Sequence, residues 1–188
     1  FLSRNRGKGD LLADPGRILL IGKNHVGDML FITPLIAALH SKYTNAKIYV
    51  TCPESSTDIL RNNPYIDGYI YFSEVSSNVF SGFMNVLKVV FMRRGKGFDL
   101  GMSYNNNQFA MNHLILFLSG IKRRIGYGHK GLSFLLTDIV PFEYPKIVIE
   151  ERLDFARYLG IDVAFTCPRI FLTDSETHEA ETIFADLG

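Results

Sequence analysis

The chain has 188 residues, of which 47% are hydrophobic and 21% charged, so it is long enough for one well-packed domain and short for two. A net charge of +1 argues against the broad positive field of a nucleic-acid-binding protein. The two cysteines and five histidines show no ligand spacing, so we expect no disulfide, no structural zinc and no metal dependence. The longest apolar run, residues 114–118, is far below the roughly 20 residues of a membrane span. With no cleavable signal in the polar residues 1–16, these features predict a cytoplasmic protein.

The first unit of the chain reads as strand, helix, strand. Residues 17–22 and 46–51 are short apolar runs that predict strands, and the segment between them has helical periodicity. Thr33 and Pro34 suit the N-cap and the first helical position, so we expect a helix from Pro34 to Lys42, with a separate turn from Asp28. This βαβ unit predicts a parallel strand pair with a right-handed crossover.

The alternation continues along the chain. Strands are predicted near 68–72, 98–104 and 125–127, and helices near 54–61, 79–94, 108–119 and 147–159, with a loop-rich stretch up to Pro145. Strands and helices of these lengths predict a doubly wound parallel sheet, a Rossmann-like α/β domain over residues 17–165. After it, Thr173 and Glu176 are spaced as a capping box, which predicts a further helix. The helix near 79–94 is apolar on more than one side, which fits a core helix or a face that binds a membrane or a partner.

The predicted strand at 17–22 runs into a polar turn that ends in Gly27 and Asp28. This places a carboxylate at the carboxyl edge of the sheet, where open α/β sheets bind their ligands. Aspartate is also a good helix N-cap, so Asp28 either caps a helix or serves a ligand. The pattern G-x-G-x-x-G at 126–131 follows a late strand instead of the first one, and it does not predict a dinucleotide site.

The densest run of positive charge is Lys122, Arg123 and Arg124. Arginine and lysine side chains bind carboxylates and phosphates, so the run predicts either an anion site near a strand end or a solvated surface.

The stretch Asn24-His25-Val26-Gly27-Asp28, followed by Thr33-Pro34-Leu35, resembles the amino-terminal signature of the ADP-heptose:lipopolysaccharide heptosyltransferases, glycosyltransferase family nine. The resemblance extends more weakly to about Gly160. It implies the amino-terminal half of a GT-B glycosyltransferase, with the acceptor in this domain and ADP-heptose in a second one. Residues 166–188 would then be the interdomain connection and the start of a donor domain that this chain lacks, and the chain alone would be inactive.

The resemblance also implies roles for individual residues. Asp28 would be the general base of an inverting, metal-independent transfer of heptose in lipopolysaccharide core biosynthesis. The acceptor-binding residues would be Lys23, Asn24, His25, Gly27, Lys122, Arg123 and Arg124. Many members carry a basic residue six positions before the aspartate, where this chain has Gly22 followed by Lys23.

The expected partners are a lipid-linked oligosaccharide acceptor and the nucleotide sugar, with no nucleic acid and no cofactor besides the donor substrate. The lipid-linked acceptor implies peripheral contact with the inner face of the cytoplasmic membrane. The alternative from the residues alone is a stand-alone nucleotide- or sugar-binding module of flavodoxin-like fold, in which Asp28 only caps a helix.

Overall fold

Six parallel strands form one sheet in this computed structural model, which describes residues 14–22, 25–71, 97–104, 110–128, 131–143 and 145–187. The strand order is β3-β2-β1-β4-β5-β6. The strands are β1 (Arg17–Ile21), β2 (Lys47–Cys52), β3 (Gly68–Tyr71), β4 (Leu100–Ser103), β5 (Arg123–Tyr127) and β6 (Asp138–Val140). The predicted doubly wound parallel sheet is confirmed.

Five described α-helices accompany the sheet, and the predicted helix near 79–94 lies outside the described residues. The helices are α1 (Val26–Phe31), α2 (Thr33–Lys42), α3 (Ala110–Leu118), α4 (Val148–Tyr158) and α5 (Asp174–Leu187). Short 3-10 turns cover Glu54–Ser56, Asp58–Leu60 and Ser133–Leu135. None of the helices among these residues is long and apolar enough to cross a membrane.

Three predicted segments differ from the structure. The segment 54–61, predicted as one helix, forms two 3-10 turns, in which backbone N–H groups bond the carbonyl three residues earlier, as Thr57 bonds Glu54 and Arg61 bonds Asp58. The stretch predicted as loop contains β6, which has three residues and begins with Asp138. The strand predicted at 125–127 begins two residues earlier, at Arg123. Charged residues do not indicate a buried strand in the sequence, but here Arg123 is buried because it pairs with Asp138, the first residue of β6.

The core lies on both faces of the sheet because β1 is buried on both. Ile18 and Leu20 pack in the larger core cluster, toward α2 and α4, whereas Leu19 and Ile21 pack in a second cluster with α3. Successive side chains of a strand point to opposite faces, so a strand covered twice must be apolar throughout. The run Ile-Leu-Leu-Ile of β1 meets that requirement.

The strand order reverses at β1, which pairs with β2 on one side and with β4 on the other. Connections leave in opposite directions from such a pair, so a crevice opens at its carboxyl edge. Ile21 is level with Ser103 at that edge, and the chain enters α1 just beyond it.

A buried ion pair lies at the opposite, amino edge of the sheet. Arg123 Nη2 is 3.1 Å from Asp138 Oδ1, and the two side chains are 10% and 0% exposed. Thr137 Oγ1 donates to Asp138 Oδ2 at 2.6 Å, and Tyr158 lies 3.4 Å from Oδ1. Breaking a buried pair leaves an uncompensated charge, which costs far more than breaking a surface pair.

We therefore expect Asp138→Asn to lower the free energy of unfolding by about 3–5 kcal/mol, because it leaves the Arg123 charge buried without its counter-ion. Urea denaturation measures the loss. The matched control is Asp58→Asn, which breaks an exposed pair with Arg61 and should cost less than about 1 kcal/mol. Equal losses in the two variants would contradict the structural role of the buried pair.

The predicted capping box at the start of α5 is confirmed. The Glu176 N–H donates to Thr173 Oγ1 at 3.2 Å, and Glu176 Oε2 accepts from the Thr173 N–H at 2.7 Å and from its hydroxyl at 2.9 Å. The backbone N–H of Thr173 and then its hydroxyl lower the pKa of the Glu176 carboxyl. The lowered pKa means that the cap favours the ionised carboxylate.

A lowered pKa in the folded state adds stability above the ordinary glutamate value, and that stability is lost as the pH falls through the lowered one. In an NMR titration, the Glu176 side chain should therefore titrate below its ordinary value. In Thr173→Ala, which lacks the hydroxyl, it should titrate closer to that value. Identical titrations in the two proteins would contradict the hydroxyl's part in the cap.

Candidate functional site

Asp28 lies in the first turn of α1, at the carboxyl edge of β1. The N-cap of this helix is His25, whose backbone is extended and whose side chain makes no capping bond. Asp28 is the third helical residue, so it is not the N-cap that the alternative interpretation required. Its side chain is 18% exposed, which leaves part of the carboxylate open to solvent or a ligand.

The floor beside Asp28 is an aromatic ring packed against a glycine. Tyr104 follows β4 and is fully buried, and a Cβ built on Gly22 would lie 2.3 Å from its Cζ atom. No side chain fits at position 22 unless this ring moves. The structure thus explains why this chain has Gly22 where the resembling family often has a basic residue.

Beneath Asp28 lies the buried guanidinium of Arg152, whose side chain is 4% exposed. Its Nη2 is 3.6 Å from Asp28 Oδ1, and its Nη1 donates to the Tyr104 carbonyl and lies 3.5 Å from Glu151 Oε2. The guanidinium carbon is 5.2 Å from the centre of the Tyr104 ring, within the range of a cation–π contact. Arg152 on α4 therefore contacts elements on both sides of the crevice.

Burial sets the protonation of the groups around Asp28. It raises the pKa of Tyr104, against the opposing effect of Arg152, so the phenol stays protonated and cannot act as a base at neutral pH. Burial also lowers the pKa of Arg152, while Tyr104, Glu151 and Asp28 raise it. Guanidinium groups stay protonated in proteins, so Arg152 is a permanent buried cation.

The other residues predicted around Asp28 share its turn. His25 and Gly27 are exposed next to Asp28, whereas Lys23 and Asn24 lie outside the described residues. Any acceptor that reached the Asp28 carboxylate would pass these exposed positions. Their part in binding stays a prediction.

The basic run lies at the other end of the sheet. Arg123 is level with Leu100 and Ile18, at the amino edge and roughly 10 Å along the strands from the level of Ile21. Besides the Arg123 ion pair, Arg124 donates to the carbonyls of Ile121 and Leu135 at 2.5 and 2.6 Å. The structure does not bring Lys122, Arg123 and Arg124 together with Asp28, and acceptor binding by them stays a prediction.

Arg152 and Tyr104 were not predicted from the sequence, although Arg152 left a signal. Residues 155, 156 and 159 follow it at spacings of three, four and seven, and all three are buried apolar residues. A charged residue on the apolar stripe of a helix is a buried charge that needs a partner. No local pattern indicates that the partner is Asp28, which lies 124 positions earlier.

The described residues hold no group of three or more histidine, cysteine, aspartate or glutamate side chains that could bind a metal ion. The chemistry that this site offers is that of a single carboxylate. It is partly exposed, lies at the start of a helix, and has one buried cation behind it.

The Gly22–Tyr104 packing gives a test of the crevice floor. Gly22→Ala should lower the free energy of unfolding by about 1–3 kcal/mol, because the added methyl group overlaps the buried ring. The matched control is Gly27→Ala, where the nearest atom would be 4.0 Å away and alanine favours the helix. Thermal denaturation compares both variants with wild type, and an unchanged Gly22→Ala would contradict the packing.

Comparison with known proteins gives partial relatives. No family model matches the chain. Over 143 residues it is 27% identical to lipopolysaccharide heptosyltransferase 3 of Escherichia coli K12, a match that covers 74% of this chain and 41% of that protein. A second Escherichia coli protein of the same name is 26% identical over 139 residues, covering 72% of this chain and 41% of that protein. The chain thus spans less than half the length of these curated relatives.

Solved structures share the fold. The glycosyl transferase family 9 protein of Veillonella parvula superposes with a TM-score of 0.77 at 16% identity, over 92% of this chain and 49% of that one. For ADP-heptose lipopolysaccharide heptosyltransferase II of Escherichia coli the TM-score is 0.69 at 20% identity, over 90% and 50%. For Escherichia coli heptosyltransferase WaaC with ADP-2-deoxy-2-fluoro heptose it is 0.65 at 13%, over 81% and 51%. The predicted resemblance to the heptosyltransferases is confirmed, and the chain has the Rossmann-like fold of about half of each structure.

Proposed function

We propose that this chain is the acceptor-side domain of a glycosyltransferase of lipopolysaccharide core biosynthesis, in which Asp28 is the general base. The intact enzyme would transfer heptose from ADP-heptose to a lipid-linked sugar acceptor. The proposal rests on one observation: a partly exposed carboxylate lies at the crevice where the strand order reverses, in a fold shared with heptosyltransferases.

The proposed reaction moves one proton and exchanges one bond. As the acceptor hydroxyl attacks the anomeric carbon, its proton passes to the Asp28 carboxylate. The new glycosidic bond forms while the bond from that carbon to the diphosphate breaks, and ADP leaves with the bonding electrons. A base within hydrogen-bond reach of a hydroxyl typically contributes 10²–10⁴-fold to the rate.

Asp28 suits this role through its position and its surroundings. Asp28 lies in the first turn of α1, and the Arg152 cation lies 3.6 Å from its carboxylate, so positive charge faces the group that is to receive the proton. The exposed part of the side chain leaves room for an acceptor hydroxyl. His25, Gly27, Lys23 and Asn24 would contact the acceptor around it.

The remaining features of the proposal come from the resemblance. The reaction is inverting and needs no metal ion or cofactor, and ADP-heptose binds to a part of the intact protein outside this chain. A lipid-linked acceptor requires a cytoplasmic protein that works at the inner face of the cytoplasmic membrane. Holding both substrates across a cleft would supply much of the rate, because their loss of freedom occurs on binding.

The test is ADP release by the full-length gene product, given ADP-heptose and a de-acylated inner-core acceptor. We expect acceptor-dependent release in wild type and a kcat lower by about 10²–10⁴-fold in Asp28→Asn, whose amide cannot accept the proton. Asp58→Asn is the matched control, because this aspartate is exposed on a 3-10 turn packed against α1. Unchanged release in Asp28→Asn would contradict the base, and no release by wild type would favour the binding-module alternative.

A further inference from the structure

The buried cation beneath Asp28 has an arrangement that fold stability alone does not explain. We propose that Arg152 is a positioning residue that fixes the Asp28 carboxylate at the crevice and holds it ready for the acceptor hydroxyl. This inference rests on the proposed function, because it gives Arg152 its role through the base.

The Arg152 guanidinium and the Asp28 carboxylate are too far apart for a close hydrogen bond. Arg152 Nη2 and Asp28 Oδ1 are 3.6 Å apart, whereas a charge-assisted N–H···O bond usually measures about 2.7–2.9 Å. At 3.6 Å the guanidinium attracts the carboxylate electrostatically without occupying its lone pairs through a close hydrogen bond. The Asp28 carboxylate oxygens therefore stay available to an acceptor hydroxyl.

Contacts outside α1 fix the Arg152 side chain. Its Nη1 donates to the Tyr104 carbonyl at the end of β4, and the guanidinium stacks near the buried Tyr104 ring. Tyr104 in turn packs against Gly22 at the end of β1. The cation is thus held relative to both strands of the crevice, and Asp28 is held relative to the cation.

The Arg152 cation lies near two carboxylates, those of Asp28 and Glu151. Arg152 Nη1 also lies 3.5 Å from Glu151 Oε2, so Asp28 and Glu151 share this cation. Buried structural arginines usually have complete partners, as Arg123 has in Asp138, but the buried Nε of Arg152 has no hydrogen-bond partner within the described part of the chain. This arrangement distinguishes Arg152 from an arginine whose only role is a closed structural pair.

Other charged groups on the elements packed against α1 are engaged elsewhere. Glu150 and Asp154 of α4 pair with Arg157, and Lys42 of α2 donates to the Leu159 carbonyl. On the neighbouring 3-10 turn, Asp58 pairs with Arg61. Among residues 14–22, 25–71, 97–104, 110–128, 131–143 and 145–187, Arg152 is the cation that forms an ion pair with Asp28.

The experiment is a kinetic double-mutant cycle in the full-length protein, assayed by acceptor-dependent ADP release. We expect Arg152→Met to lower kcat on the order of 10²-fold with little change in the KM for acceptor, because a displaced base impairs the reaction more than binding. Arg152→Lys should recover part of the loss, since it keeps the charge without the planar fork. In an Asp28→Asn background, replacing Arg152 should cause no further loss of kcat.

A matched control separates this role from general support of α4. Arg157→Met removes a cation from the same helix, one with ion pairs to Glu150 and Asp154 and none to Asp28. It should leave kcat within about twofold of wild type, as expected for a surface change. Urea denaturation of every variant checks folding, and if Arg152→Met does not fold, Arg152→Lys in both backgrounds decides.

The outcomes distinguish the two proposals. A loss on replacing Arg152 that is equally large with and without Asp28 would show a purely structural role and overturn this inference, while the base assignment stands. A rise in KM for acceptor with unchanged kcat would make Arg152 a binding residue and also overturn it. Transfer by Asp28→Asn at the wild-type rate overturns the base assignment, and no transfer by wild type overturns the proposed function. Either result removes this inference as well.

Discussion

The double burial of β1 is the constraint on which the rest of this structure depends. Its side chains pack alternately into two core clusters, and its backbone pairs with β2 on one side and β4 on the other. A strand in that position has no free edge and no exposed face, so residues that are to meet a ligand must lie beyond its end. Helix α1 begins shortly after that end of β1 in sequence, with Asp28 in its first turn.

Two buried arginines show how the same residue type serves different ends. Arg123 at the amino edge meets Asp138 in a close pair, which Thr137 and Tyr158 complete, and its charge is balanced within the protein. Arg152 at the carboxyl edge meets Asp28 and Glu151 at longer distances. Complete ion pairing is typical of charged residues that stabilise a fold, whereas incomplete ion pairing beside a partly exposed carboxylate is typical of a ligand-binding site.

The crevice floor links the two strands physically. Because Gly22 has no side chain, the Tyr104 ring lies over the end of β1, and the Tyr104 carbonyl accepts from Arg152. A larger residue at position 22 would displace the ring and, with it, the anchor of the guanidinium. Gly22 occupies the position where the resembling family often has a basic residue, and here it is part of the packing that positions Arg152.

The sequence by itself determined the fold class and the place of Asp28. The parallel pairing of β1 and β2 and the capping box at Thr173 follow from local periodicity and capping chemistry, and both are confirmed. The helix predicted from Pro34 to Lys42 is present as Thr33–Lys42, but the predicted N-cap was wrong: Ile32 holds that position, and the Thr33 hydroxyl donates to the Leu30 carbonyl. These features depend on residues close together in the chain, which is why local patterns predict them. The short strand β6 was not predicted, because three residues are too few to show the alternation of a strand.

Only the tertiary structure decided which charged residues meet. Asp28 and Arg152 are 124 positions apart, and they come together because α4 packs against α1 and α2. The basic run at 122–124 was predicted as an anion site near a strand end or a solvated surface, and the start of β5 places it at the amino edge of the parallel sheet, away from Asp28. Local sequence shows that a residue is charged and lies near a strand; which edge it occupies, and which charge it faces, depends on the order and direction of strands that are distant in sequence.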